Sequence, residues 1–176
     1  MKSLPRTQFG NPILRKKAKR IALKELRNPS LKKLIQDMFA TIQDIGVGLA
    51  APQVGKSIRL AVIDVHPLQH RPKVTPYKRI IINPKIVSHS KSKESDYEGC
   101  LSCDGLRGKV PRSKEVTVEY YDERGERQRE IARGLLARIF QHEIDHLNGI
   151  LYVDRIEDMR TIMTGEEYNK RILHKH

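Results

Sequence analysis

Tryptophan is absent from this sequence, and six Tyr and three Phe are all the aromatic surface it has. So few rings leave a base-stacking platform for single-stranded nucleic acid poorly supplied. Cysteine is nearly absent as well. Cys100 and Cys103 are the only two, which excludes a secreted scaffold stapled by several disulfides. No apolar run approaches the ~20 residues of a membrane-spanning helix. Met1 to Phe9 lack the apolar stretch of a secretory signal. A membrane role is therefore not expected, and a reducing, cytoplasmic setting is. Gly/Ser linkers, low-complexity segments and internal repeats are missing too, so residues 1–176 read as a single domain. A domain of this length can bury about 70% of its unfolded surface.

Positive charge is plentiful. Thirty-four Lys+Arg stand against 21 Asp+Glu, a net charge of +13. One reading is attraction to a polyanion such as RNA. The other is a well-solvated surface. The basic residues are dispersed, with one denser stretch from Arg15 to Arg27.

Apolar periodicity outlines the elements. Leu31, Leu34, Ile35, Met38, Phe39, Ile42 and Ile45 form the stripe of an amphipathic helix. Asn28 is its expected N-cap, Pro29 its first residue and Gly46 its end. Ile58 to Val65 reads as a buried strand. Arg79 to Ile82 and Ile86 to Ser88 read as a strand broken at Asn83-Pro84. Val116, Val118 and Tyr120 alternate with polar residues, and the turn Asp122 to Gly125 predicts a hairpin returning through Glu130 and Ile131. After Gly134, the residues Leu135, Leu136, Ile139, Phe140, Ile144 and Leu147 recur at helical spacing, and Gly149 closes that helix. The pattern predicts an α+β fold with mostly antiparallel sheets.

Three segments carry chemistry. In His142-Glu143-Ile144-Asp145-His146, two histidines four apart on a helix point the same way and can reach one metal ion. They continue the line of Leu135 and Ile139. Glu143 can reach a water beside the metal without being a ligand. Two histidines leave a catalytic site one protein ligand short, and Cys100 in Glu98-Gly99-Cys100-Leu101-Ser102 is the best candidate. Cys103 offers an alternative: with Cys100, His142 and His146 it would close a four-ligand structural site that has no use for Glu143. The third segment, Gly46-Val47-Gly48-Leu49-Ala50-Ala51-Pro52-Gln53, would admit a close backbone. An extended peptide could add to it as a strand, and the Gln53 amide could donate to an oxyanion. Taken alone, the segment is equally a helix cap and turn.

Together, and in this order, the three segments resemble the motifs of the peptide deformylase family. The resemblance covers about residues 9–156, with Val110-Pro111-Arg112 and Gly134 to Ala137 also similar, and leaves a short polar tail, 157–176. The family's fold packs antiparallel sheets around a central metal-binding helix. Because the similarity begins so near Met1, little room for a transit peptide is expected. Where many members read Leu-Ser-x-Pro-Glu, this chain has Ser102-Cys103-Asp104-Gly105. Its tail, interrupted by Gly165, does not suggest a long ribosome-docking helix.

The resemblance implies one catalytic domain that removes the N-formyl group from the initiator methionine of nascent chains, releasing formate. It implies Cys100, His142 and His146 as ligands of a divalent metal, usually Fe2+, with Zn2+, Ni2+ or Co2+ able to substitute. Glu143 would be the general base. Gln53 and the Leu101 N–H would stabilise the oxyanion. Backbone groups of Val47, Gly48 and Gly99 would bind the peptide, and Leu135 and Ile139, with Val47, would line a methionine pocket or simply pack in the core. The implied partners are N-formylmethionyl peptides, with a transient ribosome contact through the basic surface. Two competitors are a zinc peptidase, whose third ligand would normally be His or Glu, and a non-enzymatic zinc module that needs Cys103. Nothing in the pattern fixes an oligomeric state.

Overall fold

In the computed structural model, which describes residues 2–43, 45–67 and 74–173, helix α1 (Pro29–Ile42) starts at its expected cap. Asn28 Oδ1 accepts from the Ser30 N–H at 2.9 Å, satisfying a backbone donor that the helix cannot. Leu31, Ile35, Met38 and Ile42 are buried. The helix stops short of the Ile45 predicted for its stripe. Gln43 leaves the helical conformation, with φ −51° and ψ 127°, and Ile45 is left exposed.

Two antiparallel sheets follow. The larger has the order β1-β2-β3-β6-β7, formed by β1 (Gly48–Ala50), β2 (Leu60–Val65), β3 (Tyr77–His89), β6 (Glu115–Tyr121) and β7 (Arg127–Arg133). The smaller joins β4 (Lys93–Glu98), β5 (Leu106–Ser113) and β8 (Met163–Thr164) in that order. The expected break at Asn83-Pro84 is a bulge inside one long β3. Asn83 takes a positive φ of 51°, the register with β6 shifts between Ile82 and Lys85, and the strand continues. The Asn83 side chain is tied on both sides to the Ile21 backbone, at 2.9 and 2.8 Å.

Helix α2 (Gly134–Leu147) packs against strands of both sheets. Alternation along β2 sorts the core. Ala61 and Ile63 join Phe140, Ile144 and Leu147 of α2, while Leu60 and Val62 join Met38 and Ile42 of α1. A third cluster gathers Leu14, Cys100, Cys103, Val110, Leu151 and Tyr152.

The tail is more structured than its polarity suggests. Met163 and Thr164 pair with Arg107 and Leu106, and Gly165, expected to interrupt, opens the four-residue helix α3 (Gly165–Tyr168). Residues 174–176 of that tail lie outside the described residues. Among the described residues, no helix is long and apolar enough to cross a membrane.

Candidate active site

Ligand positions come from two elements. His142 and His146 sit one turn apart on α2, and Cys100 lies just past the end of β4. Cys100 Sγ and His146 Nε2 are 3.2 Å apart, as are His146 Nε2 and His142 Nε2. All three donor atoms fall within 4.8 Å of one another. A tetrahedral centre with ordinary metal–nitrogen and metal–sulfur bonds has ligand–ligand edges of roughly 3.3–3.6 Å. Two of the three spacings are close to that, and the third, Cys100 to His142, is within 4.8 Å. His146 Nδ1 and Glu143 Oε2 are buried without a protein hydrogen-bond partner. One soft thiolate with two imidazoles suits a divalent transition ion, so the residues fit such a metal. Cys103 does not belong to the converging group.

Protonation follows burial and neighbours. Burial opposes charge on His142, but its hydrogen bond to Glu98 outweighs this and raises its pKa. Burial, with the charge of His142, holds His146 well below the usual imidazole range. The Cys100 thiol is pushed up by its hydrogen bond with Cys103 and by burial, and the same bond lowers Cys103. Burial lifts Glu143 to about 7.

Behind the ligands lies a buried ionic cluster. His142 Nδ1 lies 2.9 Å from Glu98 Oε2, which leaves Nε2 facing the site. Arg112 grips Glu98 with two bonds, 2.9 and 3.0 Å, and also reaches Asp145. Arg138 donates to Glu98 at 2.8 Å, and Arg155 to Asp145 at 2.8 Å. Sequence reasoning quoted Glu98, Arg112 and Asp145 within motifs but gave them no role.

Gln53 is fixed by a bond from the Ala50 N–H to its Oε1 at 2.8 Å. Its Nε2 therefore points at Cys100 Sγ (3.4 Å) and Ser102 Oγ (3.3 Å). Leu101 packs toward Gly46, where a Cβ would stand 3.1 Å from it. A Cβ on Gly48 would stand 2.4 Å from Glu143 Oε1, and one on Gly99 would strike the Arg107 guanidinium. At Gly48 the buried Glu143 carboxyl would have to give way, whereas at Gly99 the flexible Arg107 side chain can swing aside.

Val47 stands just before β1. Its carbonyl accepts from the Asp64 N–H at 3.0 Å, so that group is already engaged by the sheet. By antiparallel alternation, Gly48 turns its backbone groups to the open edge of β1. Ile139 is buried in the main core, with Leu135 and Val47 half-buried against it.

The polypeptide deformylase family model matches residues 4–161. The chain belongs to the peptide deformylase family. Peptide deformylase 2 of Nostoc sp. is 42% identical over 173 residues, 96% of this chain and 94% of that protein. A peptide deformylase of Roseiflexus castenholzii is 50% identical over 149 residues, 80% of each chain. The crystal structure of a class I type b peptide deformylase from Acinetobacter baumannii, bound to Met-Ala-Ser, superposes with a TM-score of 0.84 at 38% identity, covering 88% of this chain and 98% of that one. As a peptide deformylase, the protein is a hydrolase that removes the N-formyl group from newly made peptides, and a divalent metal belongs to its site. The peptidase and the non-enzymatic zinc module are set aside by the same match.

Proposed function

We propose that Cys100, His142 and His146 hold the metal, with Fe2+ the resident ion and Zn2+, Ni2+ or Co2+ able to replace it, and that Glu143 carries the proton in deformylation. The observation that supports this reading is the convergence of three donor atoms beside a buried Glu143 whose Oε2 has no protein partner. The metal, when bound, supplies a Lewis acid that acidifies water and polarises the formyl carbonyl. Glu143, held near neutrality by burial, takes a proton from the attacking water and returns it to the leaving amine. Formate and a free N-terminus result.

Gln53 Nε2 and the Leu101 N–H donate to the developing oxyanion, each such donor typically giving ~10²–10³ in rate. The peptide adds as a strand against Gly48 on β1 and against Gly99 beyond β4, both strands lying at sheet edges. The side chains of Val47, Leu135 and Ile139 border the methionine pocket. The whole chain acts as one catalytic domain in the cytoplasm. The exposed basic residues between Arg15 and Arg27 make a transient, salt-sensitive contact with the ribosome.

The deciding experiment compares kcat/KM for formyl-Met-Ala and acetyl-Met-Ala on one metal-verified preparation. A formyl carbon carries only hydrogen and enters a space walled by Gly48 and Glu143. The acetyl methyl must displace that wall, so its rate should fall steeply. Comparable rates on both substrates would refute the proposed site.

A further inference from the structure

We infer that Cys100 and Cys103 form a dithiol that a peroxide closes to a reversible disulfide, withdrawing Cys100 from the metal site. This rests on the proposed ligand role of Cys100 and adds a modification that deformylation does not use. The two residues are the first and fourth of a tight turn, closed by the Cys103 N–H donating to the Cys100 carbonyl at 3.0 Å. The Cα atoms at the ends of such a turn lie within about 7 Å, and disulfides span roughly 4.4–6.8 Å. Both thiols are free, and both belong to the cluster around Leu14, Val110, Leu151 and Tyr152. No other cysteine exists in the chain to compete. Cys103, lying outside the converging ligand group, has no metal bond to protect it.

The chemistry balances with hydrogen peroxide as the oxidant. Cys103 sulfur attacks one peroxide oxygen and the O–O bond breaks, leaving a sulfenic acid and one water. Cys100 sulfur then attacks Cys103 sulfur. The S–O bond breaks as the S–S bond forms, and the departing hydroxide becomes a second water by taking the Cys100 thiol proton in metal-free protein, or a solvent proton where the metal has already displaced it. Two thiols lose two electrons and one peroxide gains them. The site is left with two imidazoles, too few to retain the metal, until a thiol reductant reopens the bridge. Without Cys103, oxidation of Cys100 has no resolving partner and proceeds to sulfinic and sulfonic acids that dithiols do not reverse.

The test uses zinc-loaded protein, because zinc has no redox chemistry of its own. Peroxide is added in slight excess. Intact mass, peptide mapping without reductant and zinc release to a chromogenic chelator are followed together. The expected result is loss of two hydrogens, a Cys100–Cys103 link within one peptide, release of the bound zinc and full recovery of zinc binding after dithiothreitol. Cys103→Ser and Cys103→Val should bind zinc normally, show no link and lose zinc irreversibly. Direct over-oxidation of Cys100 in the unaltered protein, or thiol-reversible zinc loss in both variants, would overturn the inference. Zinc stoichiometry before peroxide separates the two readings. If Cys100→Ser leaves zinc binding unchanged, the ligand assignment fails, while disulfide mapping still tests the dithiol.

Discussion

Replacing Glu98 with Gln isolates what the buried ionic cluster contributes. Glu98 lies at hydrogen-bond distance from four donor atoms: Arg112 Nε at 2.9 Å, Arg112 Nη2 at 3.0 Å, Arg138 Nη1 at 2.8 Å and His142 Nδ1 at 2.9 Å. A glutamine keeps one acceptor oxygen and turns an NH2 group toward the other donors. It also removes a counter-charge from Arg112, leaving Asp145 as that guanidinium's carboxylate partner. Breaking a buried ion pair by removing one partner costs about 3–5 kcal/mol. For a chain of this size, at about 2–4 °C per kcal/mol, the metal-free protein should melt roughly 6–20 °C lower. His142 also loses the charged acceptor that orients it, and changes of this kind weaken metal binding by about 10–100-fold. The two effects are read by thermal unfolding of metal-free protein and by titration against a competing chelator. Burial raises the Glu98 pKa, but the bonds from His142 and Arg112 outweigh it and hold it well below its ordinary value of 4.5. Its stabilisation is therefore complete above that pH and is lost as pH falls toward the depressed value. The stability gap between Glu98→Gln and the unaltered protein should narrow below pH 4.5. A melting temperature within about 2 °C of the unaltered protein, with unchanged metal affinity, would refute the reasoning.

Glu143→Ala should keep the metal and lose turnover, and Glu143→Asp should also be impaired because its carboxylate stops short. Metal analysis beside formate release checks both, and loss of metal with activity would reassign Glu143 as a ligand. Gly48→Ala should fold but lose about 10²-fold in kcat/KM, since the new Cβ would stand 2.4 Å from Glu143 Oε1 and must push that carboxylate aside. A circular dichroism spectrum like that of the unaltered protein should accompany the loss. Metal affinity should rise at least tenfold per pH unit between pH 6 and 8, because binding must displace the Cys100 proton, which Cys103 and burial hold on the thiol, and, at the lower pH, one from His142, whose pKa is raised. Chelator competition at three pH values measures the slope, and a flat profile would exclude Cys100 as a ligand.

Elements whose pattern is local were legible in the sequence. Asn28-Pro29 marks the start of α1, Asp122 to Gly125 marks the β6–β7 turn, and the spacing from Leu135 to Leu147 marks α2. Elements defined by their partners were not. β4 is polar and mostly exposed, β1 is three small residues, and β8 is a strand only because Leu106 and Arg107 pair with it. The grouping of Cys100 with His142 and His146 was suggested by residue type, since metal chemistry restricts the donors. The bond from the Asp64 N–H to the Val47 carbonyl was not suggested at all, because it depends on which neighbours β2 supplies. The charged cluster around Arg112 was equally hidden. A charge in a sequence looks solvated until its partners, brought from residues far apart along the chain, are seen to surround it.

The placement of α2 has a consequence for biosynthesis. Translation delivers Cys100 and the first seven strands before His142 and His146 exist. The N-terminal segment, made first, waits longest for its seat. Its Ala18 N–H donates to the Leu147 carbonyl at 3.0 Å, Arg15 pairs with Asp154, and the Arg15 carbonyl lies where a Cβ on Gly149 would be, at 2.5 Å. The beginning of the chain can settle only after α2 and the turn behind it have left the ribosome. Contacts so distant in sequence make folding slow relative to helical proteins of similar size. On the proposed ligand set, the site is complete only once α2 has been made, so ion capture falls late in the life of each newly made molecule.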